Sequence, residues 1–185
     1  NNLGEPPTKE ELNGLLRIVE SIDEIHNNLP GYTSKICLET TVGSGTNLGY
    51  DFQHLGWIRE NIKDPDRVNF CFDTCHITAS GYDMTTKNKA TEVLKEFDYF
   101  AGLKQIGVFN FNDSVGQLGS RTDRHAHIGQ GNCGLSCFRT ILEDAIFDEV
   151  PKILETTKEE AENGKPMDIV NITKLRRMAS VAKKS

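Results

Sequence analysis

Short apolar runs that end in a polar group recur along this chain, with helical stretches between them. They are "SKICLE" (34–39), "VNFCFD" (68–73), "QIGVFNF" (105–111) and "VPKILET" (150–156). The runs begin roughly 30–45 residues apart, the length of a strand plus a crossover helix. Between them, apolar residues fall at helical spacing: Phe52, Leu55, Ile58 and Ile62, then Val93, Leu94, Phe97 and Phe100, then Phe138, Ile141, Leu142 and Ala145. Ahead of the first run, Thr8 and Glu11 stand at capping-box spacing before Leu12, Leu15, Leu16, Val19 and Ile22. Short strands alternating with helices predict a parallel α/β sheet, either a (β/α) barrel or a doubly wound sheet.

Strand parity then selects a face. Residues i and i+2 of a strand point the same way, which pairs Cys37 with Glu39, Cys71 with Asp73, Val108 with Asn110, and Ile153 with Glu155. Each polar member lies at the carboxyl end of its run, where parallel α/β folds bind ligands. Three carboxylates sharing one mouth repel one another and raise one another's pKa unless a cation joins them. His76 follows Asp73 by three residues, and Asp123, His125 and His127 lie close together in "TDRHAH". Mixed imidazole and carboxylate donors favour zinc or manganese over calcium. His26 and His54 fall in helical stretches and are expected to be surface or packing residues.

Composition limits the alternatives. The 185 residues suit one domain or part of one, and the formal net charge of -6 argues against a nonspecific polycationic nucleic-acid binder. No run approaches the roughly 18 apolar residues of a membrane span. Five cysteines and no apolar leader point to a reducing, intracellular setting, with nucleus, mitochondrion and cytoplasm undistinguished. The cysteine spacing does not fit a four-cysteine zinc knuckle, so most are expected to be small buried residues.

The blocks "LETTVGSGTNLG", "DPDRVNFCFDTCHITASGYD", "FNFNDS", "GSRTDRHAHIGQGNCG" and "VPKILET" resemble the endonuclease IV family of type-2 apurinic/apyrimidinic endonucleases. That resemblance implies a TIM barrel of which this chain holds the C-terminal portion (residues 1–158), the N-terminal barrel units being absent. Residues 159–185 form a basic tail, helical or unordered from Lys174. It also implies up to three zinc ions, with one or two here, and manganese as a substitute. Glu39 would bridge two ions and, with Glu155, serve catalysis. Asp73 and Glu155 would hold a second ion, and His76, Asp123 and His125 a third. Arg124, Arg121 and Tyr82 would meet DNA, with the Thr40–Asn47 loop bordering the abasic-site pocket.

The implied reaction is zinc-dependent hydrolysis of the phosphodiester 5′ to an abasic site in double-stranded DNA, as in base-excision repair. The chain departs from the family at Asn110, where the family carries a histidine ligand, and in lacking the first half of the barrel. Three further readings therefore stand open. One is an impaired relative acting as a structural or binding subunit. Another has a second polypeptide completing the barrel. The last is a sugar isomerase-like enzyme on the same scaffold, against which the "DRH" block and the want of a strand-borne catalytic lysine both speak.

Overall fold

The computed structural model of the chain describes residues 6–182. It opens with helix α1 (Lys9–Asn28), whose Thr8 and Glu11 cap each other reciprocally as their spacing predicts. Strand β1 (Ile36–Glu39), helix α2 (Phe52–Asn61), strand β2 (Val68–Asp73), helix α3 (Thr74–Ser80), helix α4 (Lys87–Phe100) and strand β3 (Ile106–Asn110) follow. The short strands β4 (Asp113–Ser114) and β5 (His125–Ala126) precede helix α5 (Leu135–Glu143), strand β6 (Lys152–Ile153) and helix α6 (Met167–Ala182).

Strands β1, β2, β3 and β6 form one parallel sheet in that spatial order, and β4 pairs antiparallel with β5. The register sets Asp73 beside Asn110 and Asn110 beside Ile153, so the strand ends that carry the polar residues line up. This is the expected partial barrel of strands alternating with helices, and β1 and β6 are its two edges.

One sheet face packs against helices. Phe70, Phe72 and Phe109 point into a core shared with Phe97 of α4, Phe138 of α5 and Leu175 of α6. Removing each such phenylalanine from water contributes roughly 1.5–3 kcal/mol. A second core joins Leu15, Val19 and Ile22 of α1 to Ile58, Ile62 and Val68. Helices α2 and α4 approach closely at Gly56, where an added Cβ would stand 2.0 Å from the Phe100 carbonyl oxygen. The other sheet face is open at its margins: Cys37 is exposed and Ile153 is 46 % exposed. The remaining four cysteines are buried, and all five are free thiols.

Several expectations are corrected. Residues 74–80, which carry no helical spacing of apolar residues, form α3; the stretch is buried almost throughout and so shows no amphipathic period. The segment between β3 and α5 contains the β4–β5 hairpin. The last strand shrinks from 150–156 to Lys152–Ile153. The final helix begins at Met167, ahead of Lys174. It buries Asn171 and Leu175 against the preceding fold.

Candidate metal centre

The Asp73–His76 spacing has a local reason. Asp73 ends β2 and caps α3, its Oδ1 accepting the His76 amide N–H at 2.9 Å. That first turn swings the imidazole back over the strand ends. There His76 Nδ1 meets the Thr40 carbonyl oxygen at 2.7 Å. Thr40 in turn accepts the Asp73 amide N–H through its hydroxyl at 3.0 Å. His125, on β5, is held in the same manner, its Nδ1 standing 3.2 Å from the Glu155 carbonyl oxygen.

A ring whose Nδ1–H donates to a carbonyl presents a bare lone pair at Nε2. Both Nε2 atoms are buried and have no hydrogen-bond partner. Orphaned buried nitrogens of this kind call for a ligand, and a carbonyl-oriented imidazole is how metal-binding histidines are commonly set. Asp123 Oδ1 lies 3.3 Å from His76 Nε2 and 3.4 Å from His125 Nε2. Two donors about 2.0–2.1 Å from a tetrahedral zinc ion stand roughly 3.3 Å apart, which each separation matches. Asp123 itself is 58 % exposed and approaches from the solvent side.

Two sets of side chains each bring one donor atom within 4.8 Å of the others: Asp73, His76 and His125, and Glu39, Asp73 and Glu155. Asp73 belongs to both and is wholly buried. Burial pushes its carboxyl above the ordinary carboxylate range, against the pull of His76. Burial alone would lower His76, but Asp73, the Thr40 carbonyl, Asp123 and Glu39 outweigh it and hold the ring above its ordinary value. Carboxylates and imidazoles gathered this closely are stabilised by a shared cation.

Asn110 lies within the cluster. Its Nδ2 donates to Glu39 Oε1 at 3.3 Å, and its Oδ1 accepts from Asn112 Nδ2 at 2.9 Å. Asn112 is the residue the sequence reading passed over as a site member. Buried completely, it also donates to Asp73 Oδ2 at 2.8 Å and accepts the Glu155 amide N–H at 2.8 Å. It thereby joins the ends of β2, β3 and β6. Its one visible signal was the two-residue alternation of "FNFND", which put it on the face of Asn110. Asp113 accepts the backbone N–H groups of Ser114, Gly129 and Cys133 and so anchors the segment behind the cluster.

Other candidates are placed elsewhere. His127 bonds to Glu159 at 2.6 Å and Asn171 at 3.0 Å, tying its segment to α6. His26 and His54 are buried packing residues of α1 and α2. Arg124 is exposed, its guanidinium donating to the Asp123 carbonyl at 3.1 Å. Arg121 Nη1 instead donates to the Gly43 carbonyl at 2.6 Å. Tyr82 is not brought to the cluster: its ring stacks on Phe52 at 3.9 Å and its hydroxyl accepts the Phe52 amide N–H.

A parallel strand-and-helix fold with donors at its strand ends has clear relatives. The model of the xylose isomerase-like TIM barrel family matches residues 3–173. A protein named probable endonuclease 4 from Geotalea daltonii is 47 % identical over 165 residues, covering 89 % of this chain and 57 % of that protein. One of the same name from Geobacter sulfurreducens is 45 % identical over 168 residues, covering 91 % and 56 %. The crystal structure of endonuclease IV from Thermus thermophilus superposes with a TM-score of 0.75 at 31 % identity, covering 90 % of this chain and 58 % of that one.

The chain belongs to the xylose isomerase-like TIM barrel family and, within it, to the endonuclease IV group. It spans a little over half the length of the relatives it matches.

Proposed function

We propose that this chain carries the C-terminal part of the active site of a zinc-dependent apurinic/apyrimidinic endonuclease. The reaction is hydrolysis of the DNA phosphodiester 5′ to an abasic nucleotide, in an intracellular setting consistent with five free thiols. One observation carries the reading. Two buried imidazole nitrogens without partners face a shared Asp123 oxygen, beside a second donor set of Glu39, Asp73 and Glu155.

His76, Asp123 and His125 would hold one zinc ion. Glu39, Asp73 and Glu155 would hold a second. Bound there, zinc supplies Lewis acidity toward water and phosphate oxygens. Asp73, fixed by Asn112 and the His76 amide, holds the geometry. Glu39 and Glu155 reach solvent and would take a proton from an attacking water. Arg124, exposed beside the cluster, would bind a phosphate. An abasic nucleotide, having no base to unpair, costs little to turn out of the duplex.

Asn110 supports a second reading. An amide already held between Glu39 and Asn112 is a weaker zinc donor than imidazole. It favours an impaired relative that acts as a structural or binding subunit.

Metal content and nicking together decide between these readings. Zinc counted per chain, with cleavage of an abasic-site duplex, supports the nuclease. Zinc held without cleavage supports the impaired subunit. A chain that takes up no zinc defeats the nuclease and leaves a structural subunit; one whose zinc survives replacement of both His76 and His125 by alanine defeats the metal centre in both readings.

A further inference from the structure

We infer that Arg121 is a positioning residue, a clamp that holds the loop following β1 against the segment carrying Asp123 and His125. The inference rests on the metal-centre reading above and assigns a residue to that centre which touches none of its donors.

Arg121 is the single non-glycine residue with positive φ among those described, at 53°. Such backbone is sparsely populated and persists where surrounding contacts over-determine it. Three contacts do so here. Its amide N–H donates to the Ala79 carbonyl at 2.9 Å, at the end of the helix that carries His76. Its guanidinium donates to the Gly43 carbonyl at 2.6 Å. The same group lies over the Tyr50 ring, 4.6 Å from its centroid. Charge-assisted bonding and the ring face together fix this planar cation more firmly than either alone. Tyr50 is held in place by its hydroxyl, which donates to the Glu11 carboxylate of α1.

The loop so gripped begins at Thr40, whose carbonyl orients the His76 ring. Two residues beyond the clamp is Asp123, and two beyond that is His125. Arg121 thus sits where the support of one histidine meets the segment bearing the other. Gly43 is fitted to this contact: it has φ of 70°, and an added Cβ would stand 2.4 Å from the Arg121 guanidinium. The nearby Arg124 lacks such ties and keeps its charge at the surface. Both arginines of "GSRTDRH" are exposed, but Arg121 is tied to Gly43 and Tyr50 while Arg124 is not.

The test uses the whole chain, with cobalt(II) as a spectroscopic substitute for zinc and an abasic-site duplex as the nucleic acid. Arg121→Ala should weaken metal binding about tenfold or more, the usual loss when a supporting partner is removed. It should also alter the visible cobalt bands and leave the salt dependence of duplex binding unchanged. Arg121→Lys, which keeps a donor for Gly43, should recover part of the affinity and supplies the measurement should the alanine variant fail to fold. Arg124→Ala should do the converse, sparing the cobalt spectrum and lowering the salt slope by about one.

An unaltered spectrum and affinity in both Arg121 variants overturns the clamp while leaving the metal centre standing. A salt slope reduced by Arg121→Ala also overturns it. A wild-type chain that binds no cobalt or zinc overturns the metal centre and the clamp with it.

Discussion

His76 Nδ1 lies 2.7 Å from the carbonyl oxygen of Thr40, a residue at the end of the neighbouring strand. That bond fixes the imidazole tautomer and aims Nε2 at Asp123 and His125. The same Thr40 accepts the Asp73 amide through its hydroxyl, so one residue supports two donors.

Thr40→Ala should therefore destabilise the fold by about 1–3 kcal/mol, the cost of leaving the buried Asp73 amide unpaired. Thr40→Ser should restore most of the loss. Urea denaturation measures both. Equal stability of all three proteins would mean that the Asp73 amide finds another partner.

Asn110→His should raise zinc content and nicking, because imidazole binds zinc better than an amide. The exchange breaks bonds to Glu39 and Asn112, so some stability is expected to be lost. Zinc counted per chain and cleavage of an abasic-site duplex provide the readouts. If neither rises, this position does not limit the centre.

Glu155→Gln should abolish nicking, since the amide can neither accept a proton from water nor contribute negative charge. Stability should change little, because the backbone of Glu155 carries its bonds to Asn112 and His125. Unchanged cleavage would remove Glu155 from the reaction.

Glu11 supplies a dependence on pH away from the centre. The Tyr50 hydroxyl, then the Thr8 amide, bring its carboxyl down from 4.5 to about 2. A depressed folded-state value means that the stabilisation is present above the unfolded pKa and disappears as pH falls through the folded one. The carboxylate is 22 % exposed, so solvent screening leaves a contribution on the order of 1–2 kcal/mol. Glu11→Gln should therefore be less stable than the native chain at pH 7, with the gap closing between about pH 4.5 and pH 2. Melting temperatures across that range test it; a gap independent of pH would assign the effect to packing.

Much of the architecture was legible because it follows from local chemistry. The run Val68–Asp73 is a strand over its expected span, and the spacing of Leu15, Val19 and Ile22 predicts the face that α1 buries. Parity along β1, β2 and β3 placed Glu39, Asp73 and Asn110 together, because side chains alternate on any strand. Helix α3 escaped notice for the opposite reason. Thr74, Cys75, His76, Ile77, Thr78 and Ala79 are all buried, and a helix enclosed on every side has no polar stripe to announce it.

The sequence by itself determined the alternation of strands and helices, and which side chains crown the strand ends, because backbone sterics and side-chain period act over neighbouring residues. Only the tertiary structure decided that Asn112 gathers Asp73 and Glu155, across 39 and 43 residues, and that Arg121 is tied to Gly43, across 78. Those outcomes depend on which distant backbone groups remain without partners once the sheet has formed. No periodicity within the chain encodes that.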